Sequence, residues 1–353
     1  MKPIRVAFYL SFIAWSVLTL LSWMASRISP TVLPWISGVG LLYPLWWAGQ
    51  LLFAAAFWIA RDRFRWIALG MAVMASSALP KYIGLGTVLH PPPPPQNHLI
   101  RLLTHNIYGF KPIKKAFQRD SSLGMHLLRN TTDLYRQHDL LCFQEVNPYS
   151  AQMLKAALPH YHFAQVGDAG PVIMSRDTIL KFDTISYDNP VNACLWADIR
   201  IHSMTVRVIC VHLFSNRISI AADSLQQSTR PQTALHHFKR ILQRYTSSAA
   251  RRTAEVHQIL QLMDTTTHPI VLLGDLNDHP LSYIYRTLLP PHPLPHPPLL
   301  LIRSPYRQPR SIDCPIKKSI GARPMQKAPP KKTHAPLSDA NAPDPSFSSS
   351  STS

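Results

Sequence analysis

Five polar side chains stand where apolar runs end, and together they form an inventory suited to phosphoester hydrolysis. Asn106 follows LIRLLTH, Glu145 closes LLCFQE, His212 follows VRVICV, and Asp275 and Asn277 follow IVLLG in the segment GDLND. Cleaving a phosphoester needs a hard oxygen ligand for Mg2+ or Mn2+ and a carboxylate beside the attacking water. It also needs neutral or cationic donors for the phosphoryl oxygens. Taken singly, each residue has a commonplace alternative. Asn106 reads as a turn former, Glu145 as a solvated carboxylate, His212 as a packed histidine, and Asp275 with Asn277 as a loop start. Their shared place at strand ends is what matters, because a rigid scaffold can converge side chains from several strands on one cleft.

The elements that must position them are legible from periodicity. Residues 99–106, 140–145, 172–175, 180–186, 194–201, 205–213 and 270–274 have β-branched or alternating character and read as strands. Residues 150–158 and 251–263 read as helices, and 133–137 as the end of another. Segments 197–201 and 205–211 look like a hairpin. Strands mixed with helices predict a layered α/β fold with largely antiparallel sheets. Cys142, Cys194, Cys210 and Cys314 form no CxxC pair and lie near no histidines at zinc-ligand spacing, which excludes a zinc ribbon or a redox motif. The first three sit in apolar runs and are expected to be buried.

Residues 1–90 have a different composition. Residues 6–26, 35–60 and 66–86 are apolar stretches of about 20 residues, the length that crosses a bilayer core, with only Pro80 and Lys81 interrupting the third. Three transmembrane helices are therefore expected, and the two later stretches argue against a cleaved signal peptide. Lys2 and Arg5 precede the first stretch, and Arg61, Arg63 and Arg65 crowd the loop between the second and third. Basic loops stay inside, so the N-terminus is expected in the cytoplasm and everything after the third span outside it. Residues 91–98, with the run Pro91–Pro95, form a stiff linker that holds the next domain off the bilayer. The spans carry almost no ionisable groups, which speaks against a transporter or channel.

Residues 99–289 are the globular domain, and residues 290–353 read as a disordered Pro/Ser/basic tail. The formal net charge of +18 is a weak guide to an anionic partner, since the tail holds much of it. Arg303, Arg307, Arg310, Lys317, Lys318, Arg323, Lys327, Lys331 and Lys332 face only Asp313, Asp339 and Asp344.

The ordered motifs THNIYGF, FQEVNP, VHLFSN and VLLGDLNDHPLSYIYRTL resemble the endonuclease/exonuclease/phosphatase superfamily, over roughly residues 99–288. The GDLND…P…SY segment is the most specific part. The apolar N-terminus followed by this domain resembles a bacterial membrane-anchored branch. The resemblance implies a four-layer α/β/β/α sandwich with the site at one rim. Glu145 would hold Mg2+ (or Mn2+), with Asn106 beside it in the metal and phosphate shell. Asp275 would orient or deprotonate the attacking water, Asn277 would hydrogen-bond the scissile phosphate, and His212 would donate to a phosphoryl oxygen. The substrate would be a phosphoester of nucleic acid, phospholipid or phosphosugar.

The family pattern ends in an Asp strand and a Ser-Asp-His triplet, and here the chain departs from it. After Leu288 the sequence turns proline-rich; Ser311-Ile312-Asp313 only echoes the strand, and Ala340 follows Ser338-Asp339. A change of reading frame near Leu288, or replacement of the domain's end, accounts for the shift. The expectation is a divalent-metal-dependent phosphoester hydrolase tethered to a membrane, on a sandwich incomplete at its C-terminus, with the absent Ser-Asp-His triplet putting its activity in question. The alternative is a non-catalytic membrane protein whose remnant domain binds an anionic ligand or a partner.

Overall fold

The computed structural model describes residues 2–82, 99–187, 191–215, 231–288, 299–303 and 310–315. The linker at 91–98 and residues 316–353, including Ser338, Asp339 and Ala340, lie outside that set.

The strands are β1 (Leu99–Asn106), β2 (Leu140–Val146), β3 (His162–Ala164), β4 (Gly170–Ser175) and β5 (Thr178–Ser186). They continue with β6 (Ala193–Ile201), β7 (Met204–His212), β8 (Ile270–Asp275), β9 (Leu299–Arg303) and β10 (Arg310–Pro315). They build two five-stranded sheets, ordered β10-β1-β2-β4-β3 and β5-β6-β7-β8-β9. Alternation along each strand sorts the side chains. Ile100, Leu102, Leu140, Cys142 and Ile173 of the first sheet pack on Leu195, Ala197, Val208, Cys210 and Leu273 of the second. The opposite faces are covered by helices. Leu103, Leu141, Phe143 and Met174 meet Ile113, Tyr135 and Leu154 from α5 (Lys111–Arg119), α6 (Ser121–Arg136) and α7 (Pro148–Ala157). Trp196, Ile209, Val211 and Leu272 meet Val256, Ile259, Ile284 and Leu288 from α8 (Pro231–Asp264) and α9 (Tyr283–Leu288). The layers run α/β/β/α.

Strands β9 and β10 come from the stretch that composition assigns to an irregular tail. β9 runs parallel to β8 and β10 antiparallel to β1, each at the edge of its sheet. An edge strand needs ladder partners on one side only, which is why a proline-rich stretch is tolerated there. The boundary expected at 289 therefore falls inside the sandwich.

The N-terminal helices are α1 (Lys2–Met24), α2 (Pro34–Leu41), α3 (Tyr43–Ile59) and α4 (Arg65–Ser76), with 3-10 turns at Ala25–Arg27 and Leu79–Lys81. Among the described residues, by length and composition, one helix, Pro3–Arg27, can cross a membrane, and a second crossing follows only if the bent pair Pro34–Leu41 and Tyr43–Ile59 acts as one span. The second expected span is two helices, Pro34–Leu41 and Tyr43–Ile59, bent by 59°. The third is a helix of 12 residues, about 18 Å at the α-helical rise, and its expected end at 83–86 is not among the described residues. An apolar run does not distinguish a lipid-facing helix from one packed on protein. In α2, Ile36, Ser37, Gly38 and Gly40 are buried, and a Cβ at Gly38 would lie 3.1 Å from Thr246 Oγ1 of α8.

The helices form an up-down-up bundle with distinct ends. At one end, Tyr9 Oη donates to Asp62 Oδ2 at 2.6 Å, close to Arg5, Arg61 and Arg63. At the other, Tyr43, Ala78, Trp23, Trp47 and Tyr82 close around Leu281 of the sandwich. The bundle is thus in direct contact with the globular domain, whereas the linker's composition leads one to expect a separated domain. Large apolar side chains stay exposed along its sides, among them Ile4, Leu10, Ile13, Leu52, Ile59 and Val73.

Candidate active site

Strand parity explains three of the five expected site residues, and a backbone irregularity explains a fourth, Glu145. Asn106, His212 and Asp275 continue the alternation that points Leu102, Cys210 and Leu273 into the space between the sheets. On β2 the inward positions are Leu140, Cys142 and Gln144, so Glu145 would point outward toward the helices. The β2–β4 register shifts between Phe143 and Val146, and Glu145 has φ 55. That left-handed residue reverses the parity: Val146 joins the outer cluster, and Glu145 reaches the rim.

At the rim the groups meet. Asn106 Nδ2 donates to Glu145 Oε1 at 3.0 Å and to Asp275 Oδ2 at 3.2 Å. The backbone N–H of Tyr108 donates to Asn106 Oδ1 at 3.2 Å, fixing the amide so that its NH2 faces both carboxylates. His212 and Asp275 are register neighbours on β7 and β8. His212 Nδ1 lies 2.9 Å from the Val191 carbonyl, which can only accept, so Nδ1 carries the proton. Its Nε2 is buried, has no hydrogen-bond partner and lies 3.7 Å from Glu145 Oε1. Asn277, at φ 49, donates its own N–H to Asp275 Oδ1 at 2.9 Å and turns Nδ2 onto Leu213 O at 2.7 Å. Left-handed residues such as Glu145 and Asn277 cost about 1 to 3 kcal/mol each and cluster at functional sites. Gly274 lets β8 approach β7: a Cβ there would lie 2.0 Å from Val211 O.

A cavity of about 700 Å³ opens beside these groups, lined by Asn106 and Glu145 and by His105, Tyr108, Lys111 and Lys115. Sequence reasoning missed the last four. The i,i+4 spacing of Lys111 and Lys115 in KPIKKAF was the available signal, since it sets both on one helix face. His105 Nδ1 shares a hydrogen bond of 2.7 Å with Tyr135 Oη, and burial pushes its pKa down to about 4, so the ring is neutral near pH 7.

A second cluster, also missed, lies behind the GDLND turn. Asp278 accepts from Tyr245 Oη and, at 3.3 Å, from Arg252 Nε. Arg252 is fully buried and also donates to Ser248 Oγ at 3.0 Å and Phe214 O at 3.4 Å. Burial, and then the Asp278 charge, hold the Tyr245 phenol well above its ordinary range, so it stays a donor. The signal was positional: Arg252 falls on the stripe of Tyr245, Ala249, Val256, Ile259 and Met263 that buries α8.

Among the described residues, no group of three or more His, Cys, Asp or Glu could by itself hold a metal ion. The oxygen donors at the rim are Glu145 and Asp275, both held by one amide. That set is too sparse for a closed cage. It fits Mg2+, which keeps several waters and binds one or two carboxylates together with substrate phosphate.

The family model "Endonuclease/Exonuclease/phosphatase family" matches residues 103–339. Among solved structures, humanized D. rerio TDP2 matches at 18% identity and TM-score 0.35, covering 51% of this chain and 63% of that one. An endonuclease/exonuclease/phosphatase from Bacteroides vulgatus matches at 18% identity and TM-score 0.36, covering 54% and 70%. Sphingomyelinase C from Streptomyces griseocarneus matches at 14% identity and TM-score 0.34, covering 54% and 68%. The chain thus spans less than two thirds of the length of the TDP2 structure. No curated protein matches it.

Proposed function

The chain belongs to the endonuclease/exonuclease/phosphatase family, and from that premise we propose that it is a divalent-metal-dependent phosphoester hydrolase tethered to a membrane. One observation carries the reading: a single amide, Asn106, bridges Glu145 and Asp275, which come from different sheets. Glu145, with Asn106 beside it, holds Mg2+ or Mn2+. When bound, the cation neutralises charge gathering on the phosphoryl oxygens. Asp275 orients the attacking water and accepts its proton. Asn277, whose amide also braces Leu213 O, hydrogen-bonds the phosphate. His212 has its Nδ1 proton committed to Val191 O, which leaves Nε2, 3.7 Å from Glu145 Oε1, as the ring nitrogen that meets a phosphoryl oxygen. Lys111 and Lys115 line the adjoining cavity and suit an anionic substrate: a phosphoester of nucleic acid, phospholipid or phosphosugar.

The membrane part rests on exposure. The apolar window of Pro3–Arg27 is only 11% buried, whereas a core helix of a soluble domain is covered. Helices α1, α3 and α4 are the three embedded segments, with α2 on the side that carries the globular domain. The basic end of the bundle, with Arg5, Arg61 and Arg63, lies away from Leu281 and the sandwich. Basic ends stay in the cytoplasm, which puts the N-terminus inside and the site outside, as in a bacterial membrane-anchored branch.

The test uses the full chain in detergent with bis(p-nitrophenyl) phosphate and Mn2+ or Mg2+. Metal-stimulated hydrolysis should fall at least about 100-fold in Glu145→Gln and in Asp275→Asn with melting temperature retained. Unchanged rates in both variants sink the assignment. A second reading is favoured by Ala340 after Ser338-Asp339, where the family pattern has histidine: a degenerate C-terminus and a remnant domain that binds without turnover. Its signature is cation binding by calorimetry that Glu145→Gln removes, in a protein without hydrolysis.

A further inference from the structure

The turn that follows β8 has two halves with different surroundings. Its first half carries Asp275 and Asn277 to the rim. Its second half, starting two residues later, is gripped by the N-terminal bundle. Tyr82 Oη and His279 Nδ1 lie 3.2 Å apart. The Tyr82 ring stacks on Tyr43, with centroids 5.5 Å apart and planes 7° apart, and lies nearly parallel to His279 at 6.5 Å and 13°. Leu281 is buried among Tyr43, Ala78, Trp23, Trp47 and Tyr82. A Cβ on Gly40 would come within 2.7 Å of Ala25 Cβ and 3.5 Å of His279 Nε2. Between the two halves stands Asp278, held from the other side by Tyr245 and Arg252 of α8.

We propose that the N-terminal bundle positions the candidate site, with Tyr82 and His279 as positioning residues that fix the GDLND turn against α8. A tether alone would need no contact with the motif. Here the last aromatic residue of the bundle reaches 197 residues along the chain, to a side chain four residues beyond Asp275. Asp278 cannot swing because α8 pins it, and His279 cannot swing because Tyr82 stacks on it. Asn277, already in a left-handed conformation, is held between Asp275 and that clamp. Tethering and site geometry are thus joined in one contact.

Hydrogen exchange on the full chain in detergent tests this. Tyr82→Ala should raise exchange across residues 275–282 about tenfold or more while 204–212 on β7 stays as in the wild type. Tyr82→Phe keeps the ring and removes the hydroxyl, and should give a smaller rise in the same segment. It also supplies the answer if the alanine variant does not fold. Unaltered exchange at 275–282 in the folded variants, or a rise shared equally with 204–212, overturns the proposal. A second readout rests on the hydrolase reading: kcat should fall in Tyr82→Phe with KM retained, because the turn is misplaced while the cavity is intact. If the wild type does not hydrolyse, that reading fails and the exchange result still decides this one.

Discussion

At the scale of single residues, the rim is a balance of charges set by who donates to whom. Asn106 touches both carboxylates through its amide, and Tyr108 N–H fixes which way the amide faces. His105, one residue earlier, is neutral for a different reason: burial depresses its pKa from 6.5 to about 4. A histidine with a lowered folded-state value contributes stability above its unfolded value and loses it as pH falls. The window here runs from about 6.5 down to about 4, and a difference of that size corresponds to at most about 3 kcal/mol. Melting curves of the full chain at pH 7 and pH 4.5 should show His105→Gln losing about 5 °C less than the wild type. Equal losses in the two proteins would remove His105 from the account.

At the scale of elements, the site depends on two places where the backbone leaves regular geometry. The bulge at Glu145 changes the face a side chain takes, and Gly274 lets two strands approach more closely than a Cβ allows. Gly274 has φ +139, and a Cβ there would meet Val211 O at 2.0 Å, with the Val211 N and C within 3 Å. Gly167 has φ +72 and nothing within 4 Å, so it isolates the cost of conformation from the cost of collision. Gly274→Ala should destabilise by about 3 kcal/mol or more and Gly167→Ala by about 1 kcal/mol, read from urea midpoints. Similar shifts for both would mean that close approach is not what the glycine provides. The exit from β2 is secured locally by Asn147, which caps α7 through Ser150 N at 2.9 Å while Ser150 Oγ accepts from Asn147 N at 2.9 Å. That reciprocal pair starts α7 two residues after the bulge.

At the scale of the whole molecule, the sandwich and the helical bundle share the Leu281 cluster and form one body. Exposed side chains such as Leu10, Ile13, Leu52 and Val73 would be costly in water, at about 25 cal/mol per Å² of apolar surface. The chain should therefore remain in the membrane pellet after an alkaline carbonate wash and leave it only with detergent. Release into the carbonate supernatant would contradict the proposal that the bundle is embedded. Protease applied to intact cells or spheroplasts should reach the sandwich, and protection from it would reverse the proposed orientation.

The sequence by itself carried what is local. Strand periodicity placed β1 at residues 99–106 as observed, and it set polar groups at the ends of β1, β2, β7 and β8. It did not carry which faces meet. A period of two assigns Glu145 to the outer face, and only the bulge, formed against β4, turns it to the rim. Residues 251–263 showed as a helix, while the 20 residues before them in α8 did not, because their burial comes from α2 and the GDLND turn rather than from their own pattern. The apolar run at 35–41, expected as the start of the second span, packs partly on α8. Composition and spacing report what a segment can cover, and only long-range pairing decides what covers it. That is why the Tyr82–His279 contact, between residues 197 apart, belongs to the tertiary structure alone.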